Sequence, residues 1–209
     1  MKNVHVIAHP LIEHKLSILR DIKTESFQFR SLVDEITYLM IFEATRDLPL
    51  KEISVQTPVA STKAKRLACS IMICPILRAA LGMLESVFKI IPDASVGFLG
   101  FQRNEDTLKP EFYYAKLPSD HQKRIAIVID PMFATGGTAI DAVNFLKSKG
   151  VKDIRFLSIL SAPEGLEKFC NIHSDVPVFT AYIDEKLNDK GYIVPGLGDA
   201  GDRVFNTDF

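Results

Sequence analysis

Apolar residues recur along this chain with two periods, and the changes between them outline the elements. Phe29, Leu32, Val33, Ile36, Leu39 and Met40 follow i, i+3, i+4 spacing and predict a long amphipathic helix over 24–46, whose stripe suits either a core or a subunit interface. Before it, the apolar stretch at 4–7 precedes Leu11, Ile12, Leu16, Leu19 and Ile22, again at helical spacing. Residues 48–66 hold no clean period, carry Pro49 and Pro58, and end with Lys63, Lys65 and Arg66. A solvated loop or weak hairpin is expected there.

From Leu67 the chain alternates strand-like and helix-like stretches. Strands are expected at 67–73, 94–101, 111–117, 125–129, 154–160 and 176–183. Helices are expected at 79–91, where Pro92 stops the pattern, at 137–149 with Gly150 beyond its end, and at 163–169. Residues 95–117 read as an antiparallel hairpin turning through the polar segment 103–109. The run 125–129 is apolar throughout, as strands buried on both faces of a parallel sheet are. Strands alternating with helices predict an α/β fold with a mostly parallel central sheet and helices on both faces. One domain is expected over 1–209, with an N-terminal helical arm at 1–66, the hairpin at 95–117 and a C-terminal hood at 184–209.

Composition narrows the partners. Hydrophobic residues make up 47% and charged residues 24% of 209 residues, the balance of a folded globular chain. Lys and Arg number 25 against 26 Asp and Glu, so no global field favours a nucleic acid or a membrane. Any anion site must be local. Cys69, Cys74 and Cys170 lack metal-ligand spacing, and the first two lie in an apolar run that suits packing. His5, His9 and His14 cluster early without acidic or Cys partners and are expected as surface or packing residues. Neither a secretory signal nor a run near membrane-spanning length is visible, so a cytoplasmic protein is expected.

The candidate chemistry begins where strand 125–129 ends. Asp130 sits at its carboxyl end, Pro131 stops the ladder, and 134–138 is a small, hydroxylated loop leading into a helix. Such a turn aims several backbone N–H groups at one spot, where the helix dipole favours an anion. The loop lacks the Lys of a Walker A motif and is not G-x-G-x-x-G, which weakens triphosphate and dinucleotide readings. In open α/β sheets ligands bind beyond the carboxyl ends of strands. Loop 74–78 with Arg78, loop 130–138 and the tail with Asp199 and Asp202 leave such ends, and the hairpin bearing Arg103 can fold over them. The tail at 190–203 holds Gly191, Gly196, Gly198 and Gly201 yet keeps Tyr192, Ile193, Val194 and Leu197, so an ordered loop is expected. Asp202 beside Arg203 reads as a local ion pair.

Asp130-Pro-Met-Phe-Ala-Thr-Gly-Gly-Thr138 resembles the phosphoribosyl-diphosphate (PRPP) loop of type I phosphoribosyltransferases, in the Asp-Pro-Met form of uracil phosphoribosyltransferases. His9-Pro-Leu, Phe42-Glu-Ala-Thr45, Pro75-Ile-Leu-Arg-Ala79, Arg103-Asn-Glu, Ala162-Pro-Glu-Gly165 and the tail motif from Gly191 to Asp202 match in order, covering nearly the whole chain. The resemblance implies transfer of a 5-phosphoribosyl group from PRPP to uracil, giving UMP in pyrimidine salvage, beneath a C-terminal base-binding hood. It implies PRPP contacts from Asp130, Pro131, Met132, Phe133, Ala134, Thr135, Gly136, Gly137 and Thr138, with Asp130 on the ribose hydroxyls and the 134–138 amides on the 5-phosphate. Arg78 and Arg103 would bind the diphosphate, Asp199 would also face PRPP, and these three would form the catalytic set. Ile193, Gly198, Asp199 and Ala200 would hold uracil, largely through main-chain groups. No protein metal site is assigned, since Mg2+ is expected mainly through PRPP. A dimer or tetramer is implied, and GTP, which regulates part of the family, enters as a candidate effector.

Two residues depart from the family pattern. Ala80 stands where Gly is usual, which suits a helical backbone there, and Phe133 replaces a usual Leu. The competing class is an RNA-binding regulator of pyrimidine genes on the same scaffold, since fold alone does not fix function. The near-neutral charge and the uracil-type tail speak for the enzyme. A transferase for hypoxanthine or xanthine conflicts with the tail motif.

Overall fold

The computed structural model describes residues 2–103 and 110–207, with 102, 103 and 110 described by backbone alone. The polar turn expected at 103–109 therefore lies largely outside the described residues. The chain opens with strand β1 (Val4–Val6) and helix α1 (Pro10–Arg20), whose N-terminus is capped by His9 Nδ1 accepting from Leu11 N. Helix α2 (Ser26–Ala44) follows and buries Phe29, Val33, Ile36, Met40 and Ile41, so its inner stripe belongs to the core. Strands β2 (Leu50–Gln56) and β3 (Ser61–Leu67) then form an antiparallel hairpin with a sheet of its own. Of the two expectations for 48–66, the hairpin is the one found.

Strand β4 (Ser70–Leu77) begins the main sheet, followed by helix α3 (Leu81–Ile90) and short strand β5 (Ser95–Val96). Strands β6 (Phe98–Arg103) and β7 (Pro110–Lys116) make the second antiparallel pair. Next come β8 (Arg124–Ile129), β9 (Met132–Phe133), helix α4 (Gly137–Ser148), β10 (Ile154–Ser161), helix α5 (Pro163–Ile172) and β11 (Val178–Ile183). The C-terminal segment holds β12 (Lys186–Leu187), β13 (Ile193–Val194) and helix α6 (Ala200–Phe205). The main sheet runs β1-β11-β10-β8-β4-β6-β7 and is parallel except at β6–β7.

Alternation along the strands divides the core in two. Ile71, Ile73, Ile127 and Ile129 pack toward the buried faces of α1, α2, α3 and α6. Met72, Cys74, Ala126 and Val128 pack toward α4 and α5 on the other side. Cys74 thus sits as a small hydrophobe, as expected, and Cys69 packs partly buried against the first cluster.

The strand expected at 67–73 is displaced to 70–77, across Pro75. Pro75 keeps its place opposite Ile129 of β8. On its other side β4 passes from β5, paired at Met72 and Ile73, to β6, paired at Ile76 and Leu77. The missing N–H falls at that break, where a proline interrupts no ladder.

Candidate active site

Three chain segments converge beyond the carboxyl ends of β4, β8 and β10. The first is loop 130–138. Asp130 Oδ1 accepts from Met132 N at 3.2 Å, which folds the chain back on itself after Pro131. Gly136 has φ +75° and ends the loop as α4 begins, so a side chain there would be strained. The first N–H groups of α4 have no partner within the helix and, with the dipole behind them, face a cavity of about 120 Å³. Asp130, Ala134, Thr135, Gly136 and Thr138 line that cavity together with Gly191 of the tail. Phe133 also borders it, and its ring is buried edge-on against Phe156 and Phe169, at centroid distances of 4.9 and 5.4 Å. The larger ring is anchored in the core, where such pairs add about 0.5–1.5 kcal/mol each beyond burial.

The second segment follows β4. Arg78 is exposed, with its Nη2 3.6 Å from Asp202 Oδ1. Ala80 has φ −67° and ψ −11°, a right-handed helical backbone that any L-residue adopts, so Ala fits where the pattern has Gly.

The third segment is the tail, which is ordered as expected but contains α6, which the glycine-rich sequence does not announce. Asp199 caps this helix, its Oδ1 accepting from Asp202 N at 3.0 Å. Ile193 and Ala200 are buried, while Gly198 and Asp199 are exposed. A Cβ built on Gly201 would stand 3.7 Å from Ala79 Cβ, so the start of α6 lies against the Arg78 segment.

Asp130 and Asp199 belong to one electrostatic site. Burial pushes the Asp130 carboxyl up to about 7, the Met132 N–H opposes that shift, and the negative charge of Asp199 adds to it. A carboxylate in the wall of an anion cavity, with a second acting on it through its charge, suits hydroxyl groups or a hydrated cation, not the phosphate itself.

Arg203 corrects one expectation. It does not pair with Asp202, whose carboxylate faces Arg78 and accepts from Thr207 Oγ1. The Arg203 guanidinium is buried over the Phe29 ring and donates to the carbonyls of Leu19, Leu197, Asp21 and Thr24. It joins the tail to the α1–α2 turn. Of the predicted residues, Arg78, Asp130–Thr138 and Ile193–Ala200 share one region. Arg103 ends β6, and its side chain lies outside the described residues.

Sequence reasoning passed over the job of Glu164 and Gly165, though their motif stood out. A Cβ on Gly165 would lie 2.0 Å from the carbonyl oxygen of Ala134, so α5 touches the anion loop backbone to backbone. Glu164 Oε1 meanwhile accepts from Leu187 N at 2.9 Å and holds the tail. Size alone would have misplaced the site, because a cavity of about 1140 Å³ lies elsewhere, beside β1 and α2, and one of about 970 Å³ opens on the tail with Gly198 and Asp202 in its wall.

With this geometry in place, comparison with known proteins is informative. Residues 6–207 match the family model described as uracil phosphoribosyltransferase. A uracil phosphoribosyltransferase of Campylobacter fetus is 74% identical over 99% of both chains. One from Bacillus licheniformis is 54% identical over 99% of this chain and 100% of its own. A solved Aquifex aeolicus protein superposes with a TM-score of 0.91 at 39% identity, covering 97% of each chain. Adenine phosphoribosyl transferase of Trypanosoma brucei has a TM-score of 0.62 at 11% identity over 95% of this chain and 89% of its own, a likeness of fold alone.

Proposed function

This chain belongs to the uracil phosphoribosyltransferase family, and from that premise we propose that it transfers the 5-phosphoribosyl group of PRPP to uracil, releasing diphosphate and leaving UMP. The observation that carries the reading is the meeting of two unlike loops. An anion nest at 134–138 lies beside a glycine-rich hood, and Asp199 of the hood acts electrostatically on Asp130 of the nest.

In this reading loop 130–138 takes the ribose 5-phosphate on its amides, and Asp130 accepts from the ribose hydroxyls. Arg78 and Arg103 meet the diphosphate, for which a guanidinium fork is well shaped. Ile193, Gly198, Asp199 and Ala200 hold uracil. The base presents an acceptor–donor–acceptor edge, and fixed main-chain groups that pair every polar atom of it reject a base whose edge differs. The C1–O bond to diphosphate breaks as the bond from C1 to N1 of uracil forms, and the N1 proton leaves on diphosphate or passes to water. Positive charge grows at the sugar, as in glycoside chemistry, so catalysis consists of holding the leaving group and aligning N1. No protein nucleophile is required, and burial pushes the Cys74 thiol up, away from reactivity.

Among the described residues no group of three or more His, Cys, Asp or Glu is placed to hold a metal. Mg2+ commonly binds through one or two carboxylates plus substrate phosphates, and Asp130 and Asp199 fit that smaller share, with the ion arriving on PRPP. When bound, it neutralises diphosphate charge. The family reading extends to a cytoplasmic salvage role, to a dimer or tetramer and to a GTP response. Among the described residues no helix is long and apolar enough to cross a membrane.

The test is diphosphate release from PRPP with a panel of uracil, cytosine and hypoxanthine, beside filter binding to pyrimidine-gene RNA. Turnover confined to uracil is expected. Turnover with hypoxanthine alone, or RNA binding without turnover, would sink the proposal. Assays with and without GTP extend the same experiment.

A further inference from the structure

Two side chains, Arg20 at the end of α1 and Asp184 at the start of the hood, hold the hood's centre. Asp184 follows β11 and is 5% exposed, a carboxylate with almost no water around it. Its Oδ2 accepts from Gly196 N at 2.9 Å. Arg20, the last residue of α1, donates to both Asp184 oxygens, at 2.9 and 2.6 Å, and to the carbonyl oxygen of Gly196 at 2.8 Å. Both backbone polar groups of Gly196 are therefore taken by one ion pair. The pair is fixed in turn, since Arg20 lies 5.2 Å over the Tyr182 ring and Asp184 N donates to Ser161 O at 2.9 Å.

Gly196 is a demanding position. Its φ is +66°, and a Cβ built there would stand 2.1 Å from the carbonyl oxygen of Ile193. The peptide of Gly196 is thus pressed against that of Ile193, one of the residues assigned to the base, and Gly198 follows two residues later. A rotation of the Gly196 peptide would move both ends of this turn.

We propose that Arg20 and Asp184 are positioning residues for base selection, holding the turn 193–198 in the one arrangement whose main-chain groups read the base edge. This rests on the reading of the hood as the base-binding element. The pair is bidentate, with the Asp184 side chain 1% and the Arg20 side chain 20% exposed, so its geometry is more tightly defined than that of a surface ion pair. Lys keeps the charge of Arg20 but cannot supply the fork. Asn at 184 keeps the shape and one acceptor oxygen while losing the charge.

The experiment compares Arg20→Lys and Asp184→Asn with the parent and with Arg155→Lys. Arg155 is also buried and bonded to a carboxylate and a carbonyl, Asp47 and Ala44, but lies away from the hood. KM for uracil, KM for PRPP, kcat, the uracil-to-cytosine ratio and the melting midpoint are measured for each. Loss of one or two charge-assisted hydrogen bonds should raise the uracil KM roughly tenfold in both hood variants, with the PRPP KM within about twofold. The uracil-to-cytosine ratio should fall with it. Arg155→Lys should lower the melting midpoint and leave the uracil KM in place. The proposal is overturned if both KM values rise together, or if the hood variants merely melt earlier as Arg155→Lys does. A parent enzyme that does not use uracil at all would refute the family function instead, a separate outcome.

Discussion

Asp199 carries two duties that one substitution separates. Its carboxylate caps α6 by accepting from Asp202 N, and its charge reaches Asp130 in the neighbouring loop. Asn is as good an N-cap as Asp, so Asp199→Asn should fold and melt like the parent. Loss of the charge should lower kcat roughly 10²–10³-fold, the scale on which one preorganised electrostatic group acts in a transition state. A kcat near that of the parent, from steady-state assays, would leave Asp199 with only its cap. Asp130 invites a different measurement. Its folded pKa, about 7, lies above the ordinary carboxylate value, so between about pH 4 and 7 the folded state binds more protons than the unfolded one. The stabilising contribution is present at acid pH and is lost as pH rises through 7. Asp130→Asn removes that penalty and should raise the melting midpoint near pH 8 by more than the roughly 2–4 °C that about 1 kcal/mol gives in a chain of this size, because raising the carboxyl to about 7 costs more than that. The gain should vanish near pH 4.5, while PRPP binding weakens at both. A melting midpoint lowered at both pH values would contradict the assignment.

At the scale of elements, what could be read from sequence was what short-range chemistry decides. The run 125–129, the acid after it and the small-residue loop lie within fourteen residues, and β8, the 130–138 turn and α4 appear nearly where the spacing put them. The shift of β4 across Pro75 was hidden because it depends on which strand lies beside it, a choice made by residues twenty positions on. Helix α6 was hidden because glycines mask a six-residue helix whose cap and long-range anchors, Asp199 and Arg203, supply what propensity does not. The contact of α5 with the anion loop shows the same conflict in testable form. Gly165 lies within α5, where Ala should favour the helix by up to about 1 kcal/mol. Yet its Cβ would meet the Ala134 carbonyl at 2.0 Å, so helix or loop must move. Gly165→Ala should therefore lower the melting midpoint and raise the PRPP KM by about tenfold or more, since misplacement of about 1 Å can weaken a positioned site that far. A more stable variant with an unchanged PRPP KM would show that the loop yields freely.

At the scale of the whole molecule, the hairpin β2–β3 is the part that stands outside the main sheet. It forms its own two-stranded sheet, and Leu50, Val59 and Leu67 are 57, 93 and 40% exposed. Isolated two-stranded hairpins are marginal in water, and exposed apolar side chains on such an arm favour cover by another surface. We propose a second copy of the chain as that cover. The net charge of −1 adds little long-range repulsion between copies. Sedimentation at micromolar concentration should therefore find a dimer or larger assembly. Replacing residues 51–66 by a short Gly-Ser link should shift that distribution toward monomer. The main sheet pairs through β1, β11, β10, β8, β4, β6 and β7 without the arm, so the shortened chain should keep its sheet and its melting cooperativity. A parent chain that sediments as a monomer, or a shortened one that assembles as well as the parent, would mean that the arm serves some other purpose.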